Sequence, residues 1–158
     1  SFPLEVLFDY YCKIKSHSIL ALNIKSDGLQ TLLSECIART GINIDNLFVF
    51  DMSVPDLYQY VQTNIPRYTR ISDLEVQPIL IHDCQGIWLD DFNGYASTID
   101  KVVENLSLTL PIAIVSPELH GLCHKVIWTE IKLRELHKNK NLALCTDLPD
   151  DAYNYFKD

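Results

Sequence analysis

The sequence predicts an α/β protein with parallel strands, on three observations. Five short apolar stretches recur from Leu20 to the C-terminus, each is closed at once by a polar or charged residue, and each leads into a segment of helical period. The stretches read LALNIK (20–25), NLFVFD (46–51), GIWLDD (86–91), PIAIVSPE (111–118) and LALCTD (142–147). A continuous apolar run is what a parallel strand buried on both faces needs, and α/β folds keep their chemistry at the C-terminal ends of such strands.

The elements follow in order. Pro3 to Lys15 carries Leu4, Leu7, Phe8, Tyr11 and Ile14 at helical spacing and reads as a helix feeding the first strand. After LALNIK, Asp27 is placed to cap a helix whose apolar residues are Leu29, Leu32, Leu33, Cys36 and Ile37, with Gly41 as its stop. NLFVFD is followed by Ser53, Val54 and Pro55, a cap and first-turn proline, and by a helix with Leu57, Tyr60 and Val61. Tyr68 to Ser72 reads as a short strand before a helix starting near Asp73. GIWLDD passes through an Asn93-Gly94 turn into a helix with Ile99, Val102, Val103 and Leu106. PIAIVSPE leads into a long amphipathic stretch ending near Lys140, and LALCTD into Leu148-Pro149 and a terminal helix with Tyr153, Tyr155 and Phe156. Counting YTRIS, six strands alternate with helices at roughly 20 to 30 residues per unit.

Two architectures fit that alternation, an open doubly wound sheet and a (β/α)₈ barrel. The five glycines never approach the G-x-G-x-x-G spacing of a dinucleotide-binding sheet, and no P-loop occurs. Polar residues at every strand end favour a barrel, although six strands fall short of eight.

A chain of 158 residues, 47% hydrophobic, is long enough for one sizeable core, so residues 1–158 read as a single α/β domain. The formal net charge of −8 opposes nucleic acid or an anionic membrane as the main partner. Five cysteines without a C-x-x-C pair indicate reduced, mostly buried thiols rather than a disulfide framework or a zinc ribbon. No stretch has the roughly 18 uninterrupted apolar residues of a membrane span. A cytoplasmic location is expected, although the chain opens Ser1-Phe2-Pro3 without an initiator Met, which leaves targeting unread.

The strand ends supply Asn23, Lys25, Asp51, Arg70, Glu75, Asp90, Asp91, Glu118, His120 and Asp147. A lysine and an arginine among carboxylates suit an anionic group beside a hard cation, while charged strand ends also mark where a chain reaches solvent. Lys25 ends an apolar strand just before a helix start and reads equally as a phosphate contact or a solvated lysine. An aspartyl-nucleophile role for Asp51 needs a second Asp two residues on, where Ser53 stands. His120 and His124 are four apart, the spacing of two ligands on one helical face, but H-x-x-x-H alone is a weak zinc signal. Trp88 reads as packing or, beside Asp90, as a pocket wall; Trp128 reads as packing.

Taken in order, LALNIKSDGL, FVFDMSVPDL, RISDLE, GIWLDDF, IVSPELHG and LCTDLPDDA resemble the C-terminal part of the glycerophosphodiester phosphodiesterase family, small bacterial members in particular. The resemblance runs along essentially the whole chain. LCTDLPDDA looks like the family's last-strand Thr-Asp-x-Pro signature, and Asn23 to Lys25 like its Glu-x-Lys strand motif.

That resemblance implies a (β/α)₈ barrel that hydrolyses a small phosphodiester with a divalent cation, Mg²⁺ or Ca²⁺, held by carboxylates, and with two histidines as general acid and base. Lys25 matches the phosphate-contacting lysine. Asn23 stands where many relatives have a metal-binding Glu and becomes a neutral oxygen ligand or a sign of altered metal use. Arg70, Trp88, Asp90, Glu118 and His120 are the expected substrate-binding residues. The family's His-Arg-Gly, Glu-x-Asp and His-Asp motifs should precede LALNIK, and nothing here matches them. The chain thus corresponds to strands three to eight of an N-terminally incomplete barrel, expected to be inactive alone and to self-associate through open barrel edges. The alternative is a non-catalytic α/β module that binds a phosphorylated ligand or a protein partner.

Overall fold

Among the described residues six strands form, five on the apolar runs and one at YTRIS: β1 (Leu20–Asn23), β2 (Leu47–Phe50), β3 (Tyr68–Ile71), β4 (Gly86–Leu89), β5 (Ile112–Val115) and β6 (Leu142–Cys145). The helices are α1 (Leu4–Lys13), α2 (Gln30–Thr40), α3 (Val54–Val61), α4 (Ser97–Leu106), α5 (Lys125–Leu133) and α6 (Pro149–Phe156). This computed structural model describes residues 2–16, 18–93, 97–106 and 109–157, the side chains of 97, 98 and 106 excepted. His17 and the Gly94 half of the expected Asn93-Gly94 turn lie outside the described residues. The chain divides into two compact units, Ser1–Thr69 with His82–Cys84, and Arg70–Ile81 with Gln85–Asp158, the division falling within β3.

In the first unit β1 and β2 pair in parallel, from Leu20 opposite Leu47 to Asn23 opposite Phe50. All four residues of β2 are buried, as its unbroken apolar run requires. β1 instead alternates half-buried and exposed, so the expectation of burial on both faces fails there. The amide of Val49 donates to Pro66 O at 2.8 Å, which brings Arg67 alongside β2 in parallel. Phe48 then stacks on Tyr68, ring centroids 3.8 Å apart.

Helix ends in this unit follow local chemistry with one exception. Ser53 Oγ accepts from the Asp56 amide and Pro55 sits in the first turn of α3; Gly41 closes α2 at φ 67°, a conformation that costs a residue without a Cβ little. Asp27 does not cap α2, because its carboxylate accepts from Ser53 Oγ at 2.8 Å. Asp56 serves that helix start from a distance: its Oδ1 accepts from the Gly28 amide at 2.8 Å and from Gln30 Nε2 at 2.5 Å. Arg67, buried, donates to the carbonyls of Tyr60 (2.7 Å), Ile65 (2.9 Å) and Asp83 (2.9 Å), which ties the His82–Cys84 segment to this unit.

In the second unit the strand order is β3-β4-β5-β6, with β4–β5 and β5–β6 parallel. β4 and β5 are buried throughout, and β6 is only half-buried. Ile71, Ile87, Leu89, Ile112 and Ile114 of the sheet pack with Ile99 and Val102 of α4 and Ile127 and Ile131 of α5. Burial of side chains of this size contributes about 1.5–3 kcal/mol each before chain entropy is counted.

Several expectations are corrected. No helix starts near Asp73: Ser72 Oγ accepts from the amides of Leu74 and Glu75, and the Ser72 amide donates to Glu75 O, which closes a tight turn instead. The long amphipathic stretch towards Lys140 is broken into a 3₁₀ turn (Pro117–His120), α5 and a second 3₁₀ turn (Leu136–Lys138), with Gly121 (φ 72°) and Glu135 (φ 55°) left-handed at the joints. Val103 is exposed. Cys36 and Cys84 are buried, but Cys12 and Cys123 are exposed, and all five thiols are free. Among the described residues no helix is long and apolar enough to cross a membrane.

Tyr60 is fully buried, and its hydroxyl has no hydrogen-bond partner among the described residues. Burial, with the nearby Asp56 charge adding to it, pushes its phenol up to about 12. Tyr60→Phe should therefore leave urea-unfolding stability unchanged or raise it by about 1 kcal/mol, whereas Asp56→Ala, which orphans two donors, should lower it by about 2–3 kcal/mol.

Candidate functional site

β4, β5 and β6 end within one residue of one another. Leu89 lies opposite Ile114, and Val115 opposite Cys145, so the residues that follow β4, β5 and β6 meet at one edge of the second unit's sheet. The Ser116 amide donates to Cys145 O at 2.9 Å and extends the ladder one step beyond the strands.

Glu118 is the centre of that edge. Its carboxylate accepts from Ser116 Oγ on one side and from Thr146 Oγ1 on the other, and from the Asp147 amide at 3.3 Å. Ser116 is itself fully buried and accepts from the indole N–H of Trp128 at 2.8 Å. Thr146 Oγ1 also accepts from the Leu148 amide at 3.0 Å, at the entrance to α6. Burial pushes the Glu118 carboxyl up, but the bonds from Ser116, Thr146 and the amides of Glu118 and Asp147 outweigh it and hold the group below its ordinary value.

A second pair lies at the same edge. His120 Nε2 meets Asp90 Oδ1 at 2.6 Å, and the same oxygen accepts from the Asp91 amide at 2.8 Å. Asp90 is 7% exposed, and the His120 side chain 24%. The Phe92 ring packs against the imidazole, centroids 4.9 Å apart, and the Phe92 amide is fixed by Asp73 Oδ1 at 3.1 Å. Burial raises the Cys145 thiol, and the charges of Asp147, Asp90 and Glu118 raise it further.

Of the expected substrate-binding residues, Asp90, Glu118 and His120 therefore come together. Trp88 is buried within β4, opposite Ala113 of β5, and Arg70 forms an ion pair with Glu75. His120 and His124 do not share a helical face, because His120 closes the 3₁₀ turn, Gly121 reverses the backbone, and His124 lies at the start of α5 on the Trp128 ring at 4.2 Å. Ser116 and the indole of Trp128 were not among the expected site residues. The available signal was a serine directly after a fully apolar strand; the tryptophan, twelve residues on, carries none.

In the first unit, Lys25 is 74% exposed and its ammonium pairs with Asp51 Oδ2 at 3.0 Å. Asp51 has φ 67°, a left-handed conformation that costs a residue with a Cβ about 1 kcal/mol or more and is enriched at functional positions. Asn23 is exposed and lines an apolar groove of about 420 Å³ with Leu4, Leu22, Leu29 and Leu33. Glu5, on the same groove, is taken up by Arg39 at 2.6 Å. Among the described residues no three His, Cys, Asp or Glu side chains are grouped to hold a metal ion. The donors around Asn23 do not fit a hard cation.

No protein-family model, curated protein or solved structure matches this chain.

Because the Glu118 carboxyl is held below its ordinary 4.5, it stabilises the fold above that pH and loses the contribution as pH falls through the folded value. Glu118→Gln should therefore be less stable than the parent at neutral pH, with the gap closing below pH 4.5, as followed by thermal melts across pH.

Proposed function

We propose that this chain supplies the substrate-pocket portion of a glycerophosphodiester phosphodiesterase-like enzyme, its parallel strands being six of the eight in a (β/α)₈ barrel. The observation that carries this reading is the meeting of the motifs. Three segments behind the resemblance, GIWLDDF, IVSPELHG and LCTDLPDDA, are joined side chain to side chain at one strand-end edge, through Asp90 with His120 and Glu118 with Thr146. In an α/β fold that edge is where ligands bind.

The chemistry of the edge suits the alcohol part of a diester. Carboxylates, a serine and a threonine pair well with hydroxyl groups, whereas a phosphoryl anion is repelled by Asp90 and Glu118. In the first unit, Lys25 is by the resemblance the match to the family's phosphate-contacting lysine, and its ammonium is exposed beside Asp51. The metal carboxylates and two acid–base histidines of the family are matched by no residue of this chain, so the 158-residue chain alone is read as inactive. A small-molecule substrate and a cytoplasmic setting complete the proposal.

With Mg²⁺ or Ca²⁺ present, the full-length gene product should release alcohol from a glycerophosphodiester while the 158-residue chain does not, and Lys25→Ala should lower full-length turnover about 100-fold. A full-length protein without turnover overturns the activity. Equal turnover by the isolated chain overturns its assignment as a portion.

A further inference from the structure

We infer that the strand-end face of the second unit is a docking surface for a cationic amphipathic helix of a partner protein, an inference that goes beyond the phosphodiesterase reading and does not rest on it.

Three of the loops that leave this sheet set exposed apolar side chains among carboxylates. After β3 the chain reads Asp73-Leu74-Glu75-Val76, after β4 Asp90-Asp91-Phe92, and after β5 Glu118-Leu119-His120-Gly121-Leu122. Leu74 is 75% exposed and Val76 64%, while Phe92, Leu119 and Leu122 are 37–40% exposed. Side chains tie these loops into one surface. Asp73 accepts from the Phe92 amide and from Asn93 Nδ2, the Phe92 ring packs on His120, and His120 meets Asp90. Apolar side chains this open, gathered on one face, mark a surface that a partner covers.

Charge selects the partner. Glu118 is held by the hydroxyls of Ser116 and Thr146, and Asp73 by an amide and a side-chain amide, so their donors leave both carboxylates charged. The nearby cations are already engaged: Arg70 pairs with Glu75, and Lys101 donates to Ser72 O at 2.7 Å. An apolar face ringed by carboxylates, on a chain of net charge −8, attracts lysine and arginine and is repelled by an anionic lipid surface. Leu133 on α5 supplies the contrast, since it is 71% exposed but stands between Lys132 and Arg134.

The backbone selects the partner's conformation. The amides of Leu74, Glu75, Asp91, Phe92, Asn93 and Leu148 are bonded to side chains of this chain. An added strand would find no ladder in those amides. A helix satisfies its backbone internally and presents an apolar stripe flanked by charge, which is the complement of this face.

The test is fluorescence anisotropy of the full-length gene product with a labelled helical peptide of Leu and Lys, about 18 residues long, whose leucines form one face. Raising NaCl from about 0.05 to about 0.5 M should weaken binding about 10-fold. Peptides with Glu in place of Lys, or Ser in place of Leu, should each bind at least about 10-fold more weakly. Leu74→Ser combined with Leu122→Ser should cost about 10-fold, and Leu133→Ser should cost nothing, with thermal melts like the parent's because all three sites are exposed. The peptide series on the unmodified protein carries the test if a variant misfolds. No binding, equal binding of the Glu and Lys peptides, or equal losses from Leu133→Ser and the double variant overturns the surface. Sedimentation of the protein with phosphatidylserine vesicles in preference to the peptide assigns the face to a membrane and overturns the helix as its occupant.

Discussion

A strand buried on both faces can carry polar groups only where it ends. β4 and β5 are buried along their whole length, and an unpaired polar side chain inside either would cost several kcal/mol, so the run is apolar until the register releases it. The release comes within one residue in adjacent strands, because parallel pairing sets Leu89 against Ile114 and Val115 against Cys145, which leaves Asp90 beside Val115 and Ser116 beside Thr146. Asp90, Ser116 and Thr146 then follow at neighbouring positions. The side-chain network of the second unit is a consequence of this phase: Glu118 bridges two strand ends and His120 reaches a third. A slip of one residue in either pairing would turn these side chains to the opposite face and dissolve the cluster.

That phase is also why much of the fold was legible from the sequence. The apolar runs at 46–51, 86–91 and 111–118 stand out because both faces are covered, and the polar residues closing them became the site candidates. β1 and β6 are read as strands by the same rule, yet each is exposed on alternate or isolated positions, because burial depends on neighbours that the run itself does not encode. The failures share one cause. A helix start near Asp73 and a cap at Asp27 were inferred from residues that do bind backbone or side-chain groups, but whose partners, Phe92 and Ser53, lie about 20 residues or more away. His120 and His124 satisfied a helical spacing that the left-handed Gly121 between them cancels.

The first unit is held by polar groups that no local pattern announces. Arg67 is buried where a charged side chain is usually excluded, and it is tolerated because its planar fork meets the carbonyls of Tyr60 and Ile65, left over where α3 ends and the chain turns towards β3, and that of Asp83. Asp56 reaches back from α3 to the amide of Gly28 and the side chain of Gln30, and so supplies the acceptor that Asp27 was expected to give. Both residues do at long range what a cap does at short range. The strained Asp51 differs from them, since its unusual backbone serves an exposed ion pair with Lys25 that, as a surface pair, adds little stability.

The charge at the second unit's strand ends has a physical reading of its own. Glu118 is compensated by donors, Ser116, Thr146 and two amides, and Asp90 by His120 and the Asp91 amide. Neutral donors lower the energy of a carboxylate without cancelling its charge, so the edge stays negative in a way that a lysine or arginine in the same places would abolish. An edge of this kind repels anions and favours groups that donate hydrogen bonds. The imidazole of His120, bonded to Asp90 and about a quarter exposed, is a ring that the strand ends bring to that charge.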